Sequence, residues 1–289
     1  MGYRVTIWGT RGSIPTPGPG TTRYGGNTPC VTLQHVPDDG GLVILDAGTG
    51  MRELGLGLTG NGRGAVVADL LLSHTHWDHI QGLPHFAPFF AAGNTIRIWG
   101  ARQAQTDLED IIREQMKPVV FPVPLDQVAA SLAVHHVGPG EFTVEGFRVR
   151  AMQVRHPGVT LAYALTPTSG GKTLAYVSDN ELSGGSYAVD PGWRGKFVEF
   201  LDRVDVLIHD AMYSPDELPR YVGWGHSSNL EAVELAVEAR VSKLVLFHHR
   251  PEHEDGTIDA MLEQAQGAAA KHGGGLQVVA AHEGMKLDL

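Results

Sequence analysis

The sequence is poor in cysteine, in long apolar runs and in positive charge. Its 289 residues include a single cysteine, Cys30, so no intrachain disulfide and no paired-cysteine zinc knuckle can form. A reducing cytoplasm is the expected compartment. No apolar run approaches the roughly 20 residues of a membrane span. The start, Met1 to Trp8, lacks the apolar region of a signal peptide. It fits the myristoylation pattern Met-Gly-x-x-x-Thr, but reads better as a first β-strand. Lysine and arginine total 22 against 32 acidic residues, a formal charge of −10, which argues against a broad basic surface for nucleic acid. With 42% hydrophobic and 19% charged residues, the chain has the composition of a globule and not of a disordered segment.

Glycine (37) and proline (17) are plentiful, and histidine reaches 15. The first two promise many shaped loops. The third raises the question of clustering, because neutral imidazole is the commonest metal ligand. Apolar alternation and short β-rich runs predict strands over 3–8, 30–36, 41–46, 65–73, 96–99, 159–166, 173–178, 204–209, 243–247 and 276–280. A hairpin over 142–154 turns at Glu145-Gly146. Helices are expected over 51–58, 103–116, 229–240 and 257–272, the third capped by Ser228 or Asn229. Residues 9–29 form a long Gly/Pro/Thr-rich loop, of a kind that is often functional. Strands precede helices once in each half, and no linker or repeat divides the chain. One α/β domain over residues 1–289 follows, with sheets inside and helices outside.

The segment His74-Thr75-His76-Trp77-Asp78-His79 places three imidazoles and a carboxylate directly after an apolar strand. His74 and His76, two apart, leave a strand end on one side, and the turn that follows can aim Asp78 and His79 at the same place. A solvated polar turn would account for one histidine but not for this set. One metal takes about four to six donors, and a pair of metals needs more, including a shared oxygen ligand.

This segment resembles the HxHxDH hallmark of the metallo-β-lactamase superfamily. The resemblance extends to Asp46 in Leu45-Asp46-Ala47-Gly48, to His156 after Val154-Arg155, to Asp179 in Tyr176-Val177-Ser178-Asp179, and to His248 after Leu244–Phe247. It implies a four-layer αββα sandwich holding two divalent metal ions, zinc first, with manganese or iron as alternatives. By resemblance His74, His76 and His156 hold one ion, Asp78, His79 and His248 the other, and Asp179 bridges. A bridging aspartate points away from cysteine-ligated lactamases and toward phosphodiesterases, lactonases and thioesterases. His249 competes with His248, but strand neighbours point opposite ways, and the resemblance favours His248. Asp46 either fixes a ligand imidazole or is a plain turn aspartate.

A second resemblance, to the tRNA 3′-processing endonuclease branch, pairs Asp210 in Asp205-Val206-Leu207-Ile208-His209-Asp210 with His226 in Gly225-His226-Ser227-Ser228. The acid would orient the imidazole to protonate a leaving oxygen. Asp210 stands where glutamate is more common, which puts the pairing distance at issue. The other reading of His226, a helix-entry residue, is compatible with this role, and His209 faces the core or the metals. The set Asp78, His226 and Asp210 suits phosphodiester cleavage by a hydroxide shared between two metals, attacking phosphorus in line.

In that branch a tRNA-gripping arm commonly separates the third histidine motif from the bridging aspartate. Here His156 and Asp179 stand 23 positions apart, too few for such an arm. Small or cyclic phosphodiesters, as in the phosphoribosyl cyclic phosphodiesterase group, are therefore the expected substrates, and tRNA is not. The start of the chain resembles that group as well, so Arg11 or Arg23 could meet a substrate phosphate, although a lone loop arginine is usually solvated. No membrane partner is expected, and the resemblance admits a homodimer. Alternatives on the same site are an ester, thioester or lactone hydrolase, an RNase Z-like endoribonuclease, and, least favoured, a non-catalytic binding module. Gly55–Gly60 fits GxGxxG but follows a helix rather than a strand. Trp77 is expected to pack and exclude water, Phe86, Phe89 and Phe90 to enter the core, and Pro251–Gly256 to form an exposed turn.

Overall fold

The computed structural model describes residues 2–37, 41–59, 64–103, 105–273 and 275–289. The last position of the GxGxxG stretch and position 104 of the expected 103–116 helix lie outside them. The first half of the chain supplies β1 (Gly2–Gly9), β2 (Cys30–Val36), β3 (Gly41–Leu45), α1 (Met51–Thr59), β4 (Val67–Leu71), α2 (Trp77–Ile80), β5 (Thr95–Gly100), α3 (Leu108–Gln115) and β6 (Ser131–His136). The second half supplies β7 (Gly140–Val144), β8 (Phe147–Gln153), β9 (Leu161–Pro167), β10 (Leu174–Val177), α4 (Trp193–Phe200), β11 (Val206–Asp210), α5 (Asn229–Glu238), β12 (Lys243–Phe247), α6 (Asp255–Lys271) and β13 (Gln277–Ala280). The chain then returns through β14 (Lys286–Asp288) to the first sheet.

Two seven-stranded sheets result, ordered β14-β1-β2-β3-β4-β5-β6 and β13-β12-β11-β10-β9-β8-β7. Their central strands read as continuous apolar runs because both faces are covered. In β3, Leu42 and Ile44 face a helix-side apolar layer while Val43 and Leu45 face the opposite sheet. In β12, Leu244 and Leu246 pack under the helices while Val245 and Phe247 point between the sheets. Three apolar layers therefore separate four structural ones: helices, sheet, sheet, helices. This is the αββα sandwich expected from the sequence.

The 142–154 hairpin forms as expected. Val144 pairs with Phe147, which leaves Glu145 (φ 37°) and Gly146 (φ 75°) as a two-residue turn with both residues left-handed. Ser228 caps α5 through a reciprocal box with Glu231. The expected 103–116 helix is shorter, because Asp107 is extended (ψ 148°) and starts it at Leu108. Edge strands β6 and β14 and helix α4 were not anticipated. Exposed edge strands bury little, whereas α4 does set Trp193, Phe197 and Phe200 at helical spacing on its buried face, a short signal of eight residues that was overlooked.

The parallel strands β3 and β4 of one sheet, and β10, β11 and β12 of the other, end at the same pole of the sandwich. Strand β8 runs antiparallel to β9, and β9 antiparallel to β10, so β8 ends there too. Asp46, His74, His156, Asp179, Asp210 and His248 each lie at or within three residues of one of these ends.

Candidate metal centre

Strand ends deliver the side chains, and two of them do so at a conformational cost. Asp46 (φ 59°) and His248 (φ 58°) occupy the left-handed region directly after β3 and β12. A non-glycine residue held there costs about 1–3 kcal/mol. Beyond His76 the chain turns into the one-turn helix α2, which stacks Asp78 and His79 on its inner side, both buried.

The imidazoles converge on Asp179. His79 Nε2 lies 3.1 Å from Asp179 Oδ1 and 3.2 Å from Asp78 Oδ2. His248 Nε2 lies 3.2 Å from Asp78 Oδ2 and 3.5 Å from Asp179 Oδ2. His156 Nε2 and His74 Nε2 stand 3.7 and 3.9 Å from Asp179 Oδ2, and His76 Nδ1 stands 3.0 Å from His156 Nε2. Donors about 2 Å from a common ion lie roughly 3–3.5 Å from one another, so the spacing suits cations. His74, His76 and His156 form one group of candidate ligands and Asp78, His79 and His248 another; Asp179 groups with His74 and His79.

Hydrogen bonding turns the same nitrogens inward. His74 Nδ1 meets Ser73 Oγ at 3.0 Å, His79 Nδ1 meets Asp46 Oδ2 at 2.8 Å, and His156 Nδ1 meets the Gly225 carbonyl at 2.8 Å. With each Nδ1–H donating outward, each Nε2 lone pair faces the centre. Among the described residues, Nε2 of His74 and His79 and Oδ1 of Asp179 are buried with no hydrogen-bond partner. Buried polar atoms are rarely left so. Acceptors aimed at one another need a positive charge between them, and a divalent ion supplies it.

Burial holds His74 well below its ordinary pKa and lowers His76, and it pulls His156 down to about 4. All three are neutral near pH 7, as metal donors must be. Burial would lower His79 too, but Asp179, Asp78 and Asp46 outweigh it and raise its pKa well above normal, so in the metal-free site His79 carries the positive charge that a bound ion would replace. Burial would raise Asp179, but His248, His79 and His74 hold it well below the usual carboxylate range. Asp78, likewise held well below the usual range by His79 and His248 against burial, and Asp179 are ionised and call for cationic partners.

Asp46 is more than a turn residue. It accepts the Ser73 N–H (2.7 Å) and, on Oδ2, Ser73 Oγ–H, His79 Nδ1–H and the Tyr176 hydroxyl, each at 2.8 Å. His249 points elsewhere, with Nε2 on the Ala281 carbonyl at 2.9 Å. His209 hydrogen-bonds its neighbour's carbonyl and faces Phe197 in the outer core. Asp210 reaches His226 despite its short side chain: Oδ2 to Nδ1 is 2.8 Å. Two further groupings include His226 as a candidate donor, but its Nδ1 is committed to Asp210.

Several expectations need correction. Arg11 is neither solvated nor at the site. It is fully buried and donates to the carbonyls of Gly25, Arg250 and His253, which clamps the 9–29 loop onto the segment before α6. Arg23 pairs with Asp259 on the surface. The Pro251–Gly256 turn is not all exposed, since His253 and Asp255 are buried under that loop. Phe86 and Phe89 are core, but Phe90 is exposed, and Trp77 is 65% exposed instead of packed.

The sequence reading missed Glu181. This buried carboxylate accepts the Gly223 N–H at 3.0 and 2.9 Å, the Gly225 N–H at 2.9 Å and the Tyr187 hydroxyl at 2.5 Å. It thereby fixes the loop whose Gly225 carbonyl holds His156 and whose next residue is His226. Gly225 (φ 90°) has no room for a side chain, because a Cβ there would collide with the His156 ring. Only its place two residues after Asp179 hinted at this role. Ser13, in the N-terminal loop, was also missed; its N–H donates to Asp78 Oδ2 at 2.7 Å.

Two face-to-face sheets with a His/Asp cluster at one pole define a metal-dependent hydrolase of the metallo-β-lactamase type. Residues 42–249 match the family described as the beta-lactamase superfamily domain, and the chain belongs to it. Among its relatives is ribonuclease Z of Natronomonas pharaonis, 25% identical over 290 residues, covering 86% of this chain and 87% of that one. The fold is similar to that of yeast PDE1 (TM-score 0.73, 17% identity, 100% and 99% of the two chains). It is also similar to a diphosphatase from the PhnP family (TM-score 0.68, 20% identity, 99% and 97%). No helix among the described residues is long and apolar enough to cross a membrane.

Proposed function

We propose that this chain is a single-domain phosphodiesterase acting on small or cyclic phosphodiesters. In this reading His74, His76, Asp78, His79, His156, Asp179 and His248 hold two divalent ions, zinc before manganese or iron. Bound, the ions would supply a deprotonated water near neutral pH and offset phosphoryl charge. Asp78, held by the Ser13 N–H and facing His79 and His248, orients the nucleophile. His226, its Nδ1–H on Asp210, gives a proton from Nε2 to the leaving oxygen. That Asp210–His226 pair beside the cluster is the observation that carries the reading, since an alkoxide leaving phosphorus needs a proton more than a thiolate leaving a thioester does. The pair also lies within reach of the cluster, with His226 Nδ1 3.9 Å from Asp179 Oδ2.

Similarity across 87% of a ribonuclease Z favours a second reading, RNase Z-like endonuclease activity. Against tRNA as substrate stand the −10 charge and the interval between His156 and Asp179, which holds only β9, β10 and their turns. The test is a metal-replete panel of bis(p-nitrophenyl) phosphate, 2′,3′- and 3′,5′-cyclic nucleotides, a cyclic ribose phosphate, a lactone, a thioester and a precursor tRNA. Turnover concentrated on the small phosphodiesters is expected. Turnover confined to the lactone or thioester, or to the tRNA, would overturn the proposal.

A further inference from the structure

The side of the cluster that faces solvent can be read from its members. His74, His79, His156, Asp179 and His248 have side chains no more than 2% exposed, whereas Asp78 and His226 reach 8% and 9%. His76 is exposed outright. The mouth therefore opens past His76, Asp78 and His226. Large exposed apolar side chains adjoin these residues along the chain. Trp77 sits between His76 and Asp78 and is 65% exposed, and Trp224, two residues before His226, is 63% exposed. Ile14, next to the Ser13 that binds Asp78, and Val222, next to the Gly223 that binds Glu181, are 52% and 51% exposed. The other three tryptophans are buried or half-buried.

The two tryptophans are also tied together through the site. His76 Nδ1 meets His156 Nε2 at 3.0 Å, and His156 Nδ1 meets the Gly225 carbonyl at 2.8 Å. Trp77 and Trp224 thus follow and precede, by one residue each, two residues joined through the His76–His156 approach at the site. Trp224 is braced from behind: its ring meets Tyr221 edge-on at 5.5 Å, Tyr221 stacks on Tyr213 at 4.6 Å, and the Arg250 guanidinium donates to the Tyr221 hydroxyl at 2.8 Å. An indole kept in water and held in place from behind presents a flat face at little further entropic cost on binding.

We propose that Trp77 and Trp224 form a stacking clamp that selects phosphodiesters carrying a planar ring, such as a nucleobase, over ring-free sugar phosphates. The inference rests on the phosphodiesterase reading and sharpens it. Stacking on an aromatic side chain tolerates any base because every base has a π-face. The clamp therefore sets the substrate class without choosing the base, and it acts on binding, not on the bond broken.

The test compares KM and kcat for a 2′,3′-cyclic nucleotide and a ring-free cyclic ribose phosphate in the metal-replete wild type, W77A, W224A, W77F and W224F. Each alanine variant should raise KM for the nucleotide by roughly 5- to 150-fold with kcat and bound metal unchanged. The phenylalanine variants should regain most of the loss, and the ring-free substrate should respond to none of them. A second arm needs no turnover: adenosine 5′-monophosphate should quench intrinsic tryptophan fluorescence, ribose 5-phosphate should not, and W77A and W224A should each weaken the quench. Equal KM for the two substrates in the wild type, or alanine variants that leave nucleotide KM and quenching unchanged, would overturn the clamp and leave the phosphodiesterase reading standing. Quenching by the nucleotide without hydrolysis of any phosphodiester would sink that reading and support the clamp.

Discussion

Replacing Asp210 with asparagine isolates what the carboxylate does for His226. The two meet at 2.8 Å, and Asp210 is otherwise satisfied by the Met212 N–H on Oδ1 (2.9 Å) and the Asn180 N–H on Oδ2 (3.2 Å). Asparagine keeps the shape but loses the charge and one acceptor, and its amide N–H must face either the Met212 N–H or the Asn180 N–H and His226 Nδ1–H. A hydrogen bond to an ionised group contributes about 1.5–3 kcal/mol, which at 1.4 kcal/mol per decade is a rate loss of roughly 10- to 150-fold. Burial would lower the His226 pKa, but Asp210 outweighs it and leaves it raised above 6.5. A general acid works while protonated, so its contribution is present below its pKa and lost as pH rises through it. D210N should move the alkaline limb of the kcat/KM profile to lower pH. The loss should be larger for an alkyl phosphodiester than for bis(p-nitrophenyl) phosphate, whose leaving group needs less help from a proton. H226A should cost about 10²- to 10⁴-fold on the alkyl substrate. An unmoved alkaline limb in D210N, or equal losses with both leaving groups, would refute proton delivery by this pair.

Other perturbations address the supports. D46N places an amide among the four donors that Asp46 accepts, and metal affinity measured by chelator competition should fall by about 10- to 100-fold; unchanged affinity would contradict the role given to Asp46. E181Q sets an amide N–H against the Gly223 N–H, 3.0 Å from Oε1. It should displace both His226 and the Gly225 carbonyl that holds His156 and lower kcat by about tenfold to a hundredfold, and an unchanged kcat would count against that assignment. Burial would raise Glu217, but the Ser214 N–H, His253 and the Ser214 hydroxyl pull it down to about 2. A depressed carboxylate stabilises the fold above its unfolded pKa near 4.5 and loses that contribution as pH falls toward 2. E217Q should therefore cost about 1 kcal/mol at pH 7, allowing for screening at this partly exposed group, and its deficit against wild type should vanish by about pH 2 in thermal melts.

The metal cluster was legible because its residues are chemically distinctive and follow apolar strands. HxHxDH, Asp179 and His248 needed only strand ends to bring them together, and parallel strands put those ends at one pole. The Asp210–His226 pair was legible by motif, and the structure supplied the distance that aspartate had left open. Glu181 and Ser13 were not legible, because they act through backbone N–H groups that any residue carries; their role exists only in the folded loop. Arg11 was misread for a related reason. A buried arginine on three backbone carbonyls looks, in sequence, like any loop arginine. The edge strands β6 and β14 were missed because a strand with one exposed side lacks the apolar run that marked the central strands.

The central claim is that Asp179 and the six residues around it hold two ions. Metal analysis of the wild-type chain and of D179A after dialysis against excess zinc tests it most directly. Two ions per wild-type chain, with one or none retained by D179A, is the expected result. A single ion in the wild type that D179A retains unchanged would contradict it.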